Sequence, residues 1–426
     1  MKWKRHVEHL RDRGLLHWLF VIFVAFFGIF VGEQLGKLDF WIEETYELYR
    51  IFNSLNWRES MPERTNLVLI GDKEYWGKDE ELAQRTPINR RYLARLLYAL
   101  DKADAEVIAL DFDLRSPMTD GGVKDHPAYQ RETQELIDAV REVSKRRKVV
   151  LPVTVDISDD KYLVESAIFS GTSFDPKNVL FGYINLPYDL RRVALRLPLK
   201  ECTKSSNSPI DQQRNNCQID SFALSIARAT SRGRASKADQ SSFLPYTDYI
   251  KAERFCQISA TDLLTSEASM RSCQLSHRIV IVGGEWSRWA YERGGKVDTY
   301  MTPVGIIGGV FIHANYVEAL LDGRTRYPLW EGVSEWIELG LALVVAIVFS
   351  LDFRLRVRIL ITSFLLLGMI LFSFFSFFNL GMFFDFFTPV FLLSLHACVE
   401  RIYEWREKAL YCENFHMGNP GEGENV

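Results

Sequence analysis

The chain has 426 residues, a formal net charge of -4 and 25% charged residues. That balance excludes the basic face that a nucleic-acid partner requires, so no such partner is expected. Hydrophobic residues make up 47%, and they are unevenly placed: a polar middle is bracketed by intensely apolar ends, where the Phe residues concentrate.

The first apolar run, Leu15–Val31, carries no charge and, with its flanks, reaches the roughly 20 residues that a bilayer needs. Lys2, Lys4, Arg5, Arg11 and Arg13 precede it. It is longer than the apolar part of a signal peptide and no A-x-A-like site follows, so it reads as an uncleaved anchor. Glu33–Trp57 then has helical periodicity, with Leu35, Leu38, Ile42, Leu48, Phe52 and Leu55 near one face and Glu43, Glu44 and Glu47 opposite. It reads either as a stalk packed on the following domain, or as a rod that transmits motion or a dimer seam.

Asn66–Asp72 is a continuous apolar strand ending in Gly and an acid. Arg90–Asp101 follows as a helix with Leu93, Leu96, Leu97 and Leu100 on one face. Glu106–Leu114 is a second strand, His126–Lys145 a helix, and Lys148–Val155 a third strand. This alternation predicts an α/β domain with a parallel or mixed sheet flanked by helices; strands buried on both faces read as unbroken apolar runs. Val179–Asn185 and Val193–Leu199 read as strands of an antiparallel extension, Lys200–Gln218 as a disulfide-clasped loop, and Asp220–Thr230 as a helix.

The stretch Arg278–Gly323 comes last in the polar middle. Ile279–Val282 is a buried strand stopped by Gly283-Gly284. A polar loop with Asp298, Thr302, Pro303 and Gly305 leads to a helix from about Gly309, carrying His313 and Asn315. Three further apolar runs follow: Val333–Leu351, Ile359–Phe378 and Met382–Val399. Arg354, Arg356 and Arg358 sit in the first connection between them, and Arg401, Arg406 and Lys408 follow the last. By the positive-inside rule, the N-terminus, the Arg354 loop and the tail face the cytoplasm. The expected organisation is a first transmembrane helix within residues 1–32, a periplasmic domain over 33–330, three transmembrane helices over 331–399 and a cytoplasmic tail over 400–426, in a multi-pass protein of the inner membrane.

Cys202, Cys217, Cys256 and Cys273 fall in the outside segment, which suits disulfides in an oxidising compartment. Four cysteines allow three connectivities; sequence neighbours would pair Cys202 with Cys217 and Cys256 with Cys273. A zinc site is disfavoured because no C-x-x-C pair is present.

Ligands of open parallel sheets sit beyond the carboxyl ends of the strands. Asp72, Asp111 and Asp113 end two of them, and Asp298 is placed to fold back to the same rim. Asp111 and Asp113 lie two apart and would share a face of the strand. Such carboxylates cap turns and helices, bind a cation or an amine, or pair with Arg90 or Arg115. His313 and Asn315, near a helix N-terminus, either satisfy local backbone groups or meet an anion. Asp72, Arg90, Asp111, Asp113, Asp298, Thr302, His313 and Asn315 are therefore the candidate ligand-facing residues. No Ser/His/Asp ordering, P-loop or G-x-G-x-x-G is present, so no catalysis, no cofactor and no resident metal are expected.

The blocks NLVLIGDKEYW, TPINRRYLARLLYALDKADAEVIALDFDL and RIVIVGG…DTYMTPVGIIGGVFIHANYVEALLDG, between one span and three, resemble CHASE sensor domains of the second type, over roughly residues 35–399. Those are extracytoplasmic input modules of bacterial signalling proteins. Asp72, Asp111, Asp298, Thr302, Pro303, Gly305, His313, Ala314 and Asn315 match positions that recur in them. The family's Trp-Pro-Trp-like stretch before an Arg is QRTPINR here. The resemblance implies a periplasmic α/β sensor. Members commonly continue into a cyclase or kinase. The tail here is too short for one, so the expected partner is a separate membrane or cytoplasmic effector, with the Arg354 loop and Glu400–Glu413 as its docking surface. A homodimer or higher oligomer is a further expectation. Alternatives are an assembly subunit of an envelope complex and a metal-dependent envelope hydrolase.

Overall fold

A computed structural model describes residues 61–77, 88–114, 127–156, 172–187, 218–230, most of 249–265, 273–287 and most of 298–322, with shorter stretches and helix 355–375 besides. The chain divides into two compact units, one over 49–327 and one formed by 1–48 with 328–426.

The larger unit is built on one sheet. Its strands are β1 (Thr65–Gly71), β2 (Val107–Asp111), β3 (Lys148–Val153), β4 (Val179–Tyr183), β5 (Cys256–Ser259) and β6 (Ile279–Glu285). They lie in the order β5-β1-β6-β2-β3-β4, and every pairing is parallel. Leu67, Val68, Ile108, Leu110, Val149, Val280 and Val282 are fully buried. Each such side chain adds about 1.5–3 kcal/mol by leaving water, so the sheet is the core of the unit.

Helices close its faces. α1 (Asp72–Tyr75) follows β1 directly, and α2 (Arg90–Lys102) returns along the sheet. Asn89 caps α2, its side chain accepting from the Arg91 N–H at 2.9 Å. α3 (Pro127–Val143) packs beside α2; α4 (Phe222–Ala229), α5 (Ala260–Thr265) and α6 (Gly309–Asp322) complete the layers. From Gly309 to Leu321 every residue of α6 is buried. A helix apolar all round belongs inside a domain.

Two expectations are corrected, and the antiparallel pairing expected of Val193–Leu199 is seen over Arg196–Pro198. Val179–Tyr183 is a parallel edge strand of the main sheet, not an antiparallel extension. The short antiparallel pair at this end joins Arg196–Pro198 to Gln218–Asp220. The loop before α6 contains a hairpin, β7 (Thr299–Thr302) against β8 (Gly305–Gly308).

Cys256 and Cys273 form a disulfide that ties β5 to the segment entering β6. Cys202 and Cys217, Pro303 and the stalk at 33–57 lie outside the described residues, as do Leu15–Val31 and most of the last three apolar runs.

In the smaller unit, α7 (Leu355–Phe375) is 21 residues long. Among the described residues no helix is long and apolar enough to cross a membrane. α7 carries Arg356 and Arg358 in its first turn. Its Leu360 and Phe364 are nevertheless 70% and 72% exposed, an apolar face without a partner among the described residues.

Candidate functional site

Four of the candidate residues are structural. Asp72 is a strut: its carboxylate accepts from the Ser287 N–H at 2.6 Å and the Ser287 hydroxyl at 2.9 Å. Beside it, Tyr75 stacks on Trp286 with centroids 4.3 Å apart. The loop leaving β6 is thereby pinned to the end of β1. Arg90 is buried over the Tyr129 ring at 4.0 Å and donates to the Thr133 hydroxyl, so it joins α2 to α3. Thr302 closes the β7–β8 turn by donating to the Gly305 carbonyl at 2.6 Å. Asn315 acts as a strand substitute. It accepts from the Ile250 N–H at 2.5 Å and donates to the Ile250 carbonyl at 3.2 Å and to the Phe311 carbonyl at 2.8 Å. It therefore presents no cradle to an anion.

Asp113 does not share a face with Asp111. β2 ends at Asp111, the alternation stops there, and Asp113 is exposed, accepting from the Thr154 hydroxyl at 3.2 Å.

Asp111, Asp298 and His313 do come together, and Tyr300 joins them. Asp111 stands at the carboxyl end of β2, opposite Gly283 of β6. His313, from the second turn of α6, places Nε2 3.8 Å from Asp111 Oδ1, with the side chains only 5% and 9% exposed. That separation is too long for a hydrogen bond. The edge of the imidazole meets Phe222 of α4 at 5.2 Å. Asp298 precedes the hairpin in a left-handed conformation, φ 52°, and its carbonyl accepts from the Gly309 N–H at 2.8 Å. Tyr300 of β7 donates to the Leu186 carbonyl at 3.4 Å and also bonds the Asp298 carboxyl.

The electrostatics of this cluster are unusual. Burial holds the Asp111 carboxyl well above the ordinary carboxylate range, and the Asp298 charge raises it further. Burial also raises Asp298, against the lowering effect of its bond with Tyr300. Tyr300 is pushed up by burial and then by Asp298 and Asp111. His313 is pushed down to about 4 by burial, opposed by a hydrogen bond with the Ile184 backbone. The buried imidazole is therefore neutral at pH 7. Asp111 has no hydrogen bond among the described residues. Groups so perturbed at a sheet's carboxyl edge are candidates for a functional site. Among the described residues, no three His, Cys, Asp or Glu side chains converge in a way that would hold a metal ion.

Close packing puts Asp298 there. A methyl on Gly309 would overlap its carboxylate. Gly309→Ala should therefore displace Asp298 from the cluster and destabilise the domain by about 1–3 kcal/mol, the usual range for overpacking. Chemical unfolding of the full chain measures this; an unchanged midpoint would show that Asp298 is not seated against the helix start.

Two further residues are missing from the sequence reading. Tyr300 lies in a hairpin too short to announce itself. Glu318 is fully buried, and its carboxylate accepts from three successive backbone N–H groups, Glu63 at 3.3 Å, Arg64 at 2.9 Å and Thr65 at 2.6 Å. Arg64 also pairs with Asp322 at 3.3 Å. The signal for Glu318 was available: a lone carboxylate inside ANYVEALL must find donors if that helix is buried.

A recess of about 610 Å³ lies at the amino ends of the strands, lined by Glu63, Arg64, Asn66 and Arg278 beside the disulfide. It is at the other end of the parallel strands from Asp111.

No characterised protein and no solved structure matches this chain. The sequence pattern of the CHASE2 domain matches residues 20–348. The sheet, the hairpin and the helix that carries His313 all lie inside that match, and the chain belongs to the CHASE2 domain family, a family of sensory domains.

Proposed function

We propose that the chain is an integral membrane sensor whose domain over 33–330 faces the periplasm and reports through its spans to a separate effector. The observation that carries this reading is the wiring of the perturbed cluster. Asp298, Tyr300 and His313 sit on the hairpin and helix that directly precede residue 328, and the sequence then enters its apolar runs. A ligand with different affinity for two arrangements of that helix would shift their populations. Supporting features are the Arg and Lys flanking the apolar runs, the exposed apolar face of α7, and the disulfide, which suits an oxidising compartment. On this reading the chain is not an enzyme, and the Arg354 loop and Glu400–Glu413 dock the effector.

Replacing Glu400–Glu413 by a Gly/Ser segment tests it. Cells carrying that variant should match a deletion strain in their transcript profile, while the protein still reaches the membrane. A profile equal to that of the wild type would sink the effector reading. Alkaline phosphatase fused after residue 330 tests the topology independently: the reporter needs an oxidising compartment for its disulfides, so it should be active there, and an inactive fusion would reverse the topology.

A further inference from the structure

The cluster at the head of α6 brings three elements onto one acid. Asp111 comes from the end of β2, His313 from α6, and Asp298 with Tyr300 from the β7–β8 hairpin. Among the described residues the neighbours contribute no opposing charge. β6 offers Gly283 beside Asp111, α4 offers Phe222 to His313 in a T-shaped contact, and beyond β3 Thr154 is turned to Asp113. The charged groups at the two ends of α4 are engaged with each other, Arg228 on Asp220. Among the described residues no lysine or arginine faces Asp111 or Asp298.

Two carboxyls are thus close enough to repel each other, beside a neutral imidazole and a phenol, with no cation among the described residues. This arrangement is tolerable when a proton occupies it. With Asp111 protonated, one negative charge at most remains, and Asp298 keeps its bond from Tyr300. With Asp111 ionised, two like charges share a dry site, which disfavours the compact arrangement. The element free to respond is the hairpin. Among the described residues β7 and β8 pair only with each other, Thr302 and Gly305 close their turn, and Ile306 near that turn is 67% exposed. Gly309 follows β8 directly, so movement of the hairpin acts on the first turn of α6.

We propose that Asp111, Asp298, Tyr300 and His313 form a proton-binding site that seats the β7–β8 hairpin when a proton is bound and releases it when the proton leaves. This deepens the sensor reading by naming a ligand, and it rests on that reading only for what happens downstream of α6. The signs are separable. The raised Asp111 favours the seated state at low pH, and this contribution is lost as pH rises through its folded value. His313 acts in the opposite sense. Its contribution is present above its ordinary 6.5 and lost as pH falls towards about 4. The seated state therefore has an acid limit set by His313 and an alkaline limit set by Asp111.

The test is hydrogen exchange of the full chain in nanodiscs across pH 4 to 9, with rates corrected for their intrinsic pH dependence. Amides of 299–308 should lose protection as pH rises. Inside the transition the opening equilibrium should change about tenfold per pH unit, as release of one proton requires. Asp111→Asn, a standing mimic of the protonated acid, should keep the hairpin protected throughout and abolish the transition. Asp298→Asn leaves Asp111 raised by burial alone, so it should narrow the transition and move its alkaline end to lower pH, and it serves where the first variant does not fold. His313→Gln should leave the alkaline transition in place and flatten the acid side. A wild type without an alkaline transition, or an Asp111→Asn protein that titrates as the wild type does, overturns the proposal. A hairpin that titrates in cells whose transcript profile ignores the chain would instead overturn the sensor reading and leave the proton site standing.

Discussion

Glu318→Ala should cost the larger unit about 3 kcal/mol and detach residues 63–65 from α6. The carboxylate serves the N–H groups of Glu63, Arg64 and Thr65 at once. A buried donor left without a partner costs about 1–3 kcal/mol. Only the Thr65 bond is fully buried; water can reach the other two donors after a small movement, so the sum stays near the low end of three such penalties. Glu318→Gln keeps one acceptor oxygen and should fall between the two. Hydrogen exchange resolves the location: amides 63–65 should exchange far faster in the Ala variant while those of β2 and β3 change only with global stability. Uniform loss of protection, or none, would refute the clamp.

The position of this clamp gives it a second consequence. Residues 63–65 are where the chain enters the sheet, and Asp322 ends the helix by which it leaves. Glu318 and the Arg64–Asp322 pair hold entry and exit together. Movement of α6 is then felt at residue 63 as well. Loss of Glu318 should separate the two, so that a pH-driven change at the hairpin no longer alters exchange at 63–65.

The parallel sheet was legible because β1, β2, β3 and β6 are buried on both faces, and a strand so placed is an unbroken apolar run. β5 was not, since Cys256-Gln257-Ile258-Ser259 is a half-exposed edge strand with a single buried apolar side chain. The orientation of β4 was misread because parallel pairing is a property of the returning chain rather than of the run itself. Asp111, Asp298 and His313 stood out by chemistry, yet their meeting depends on a positive φ at Asp298 and on Gly309 leaving room for it. Asp113 was grouped with Asp111 on the assumption that alternation continued; the strand stops one residue too early for that. Asp72, Arg90 and Asn315 carry the same chemistry as site residues and spend it on a loop, a ring and a backbone amide. Composition does not separate those uses, because each partner is remote in sequence.

Gly182→Ala tests the packing that supports the site from behind. A β-carbon at residue 182 would lie 2.6 Å from the Phe222 α-carbon, 2.9 Å from its nitrogen and 2.9 Å from Ser225 Oγ. Two of those three atoms are helix backbone, which no rotamer change removes. α4 must therefore move off β4, stretching the 2.8 Å bond from Ser225 to the Phe181 carbonyl. The expected loss is about 3 kcal/mol, the upper end for overpacking, because a helix rather than a side chain has to yield. Gly308→Ala is the control: the nearest side-chain atom there is Phe311 Cδ2 at 3.7 Å, so its effect should stay within about 0.5 kcal/mol. Ser225→Ala added to Gly182→Ala should not restore stability, since the Phe222 backbone remains in the way. Displacement of α4 also withdraws Phe222 from His313, which lies edge-on at 5.2 Å. Water then reaches the imidazole, and its titration should move from about 4 back towards 6.5, visible as a shifted acid limb in the stability of the variant. A Gly182→Ala protein as stable as the wild type would mean that α4 does not rest on β4 at this distance. A destabilised protein whose acid limb stays in place would mean that His313 owes its depressed value to other walls of the site.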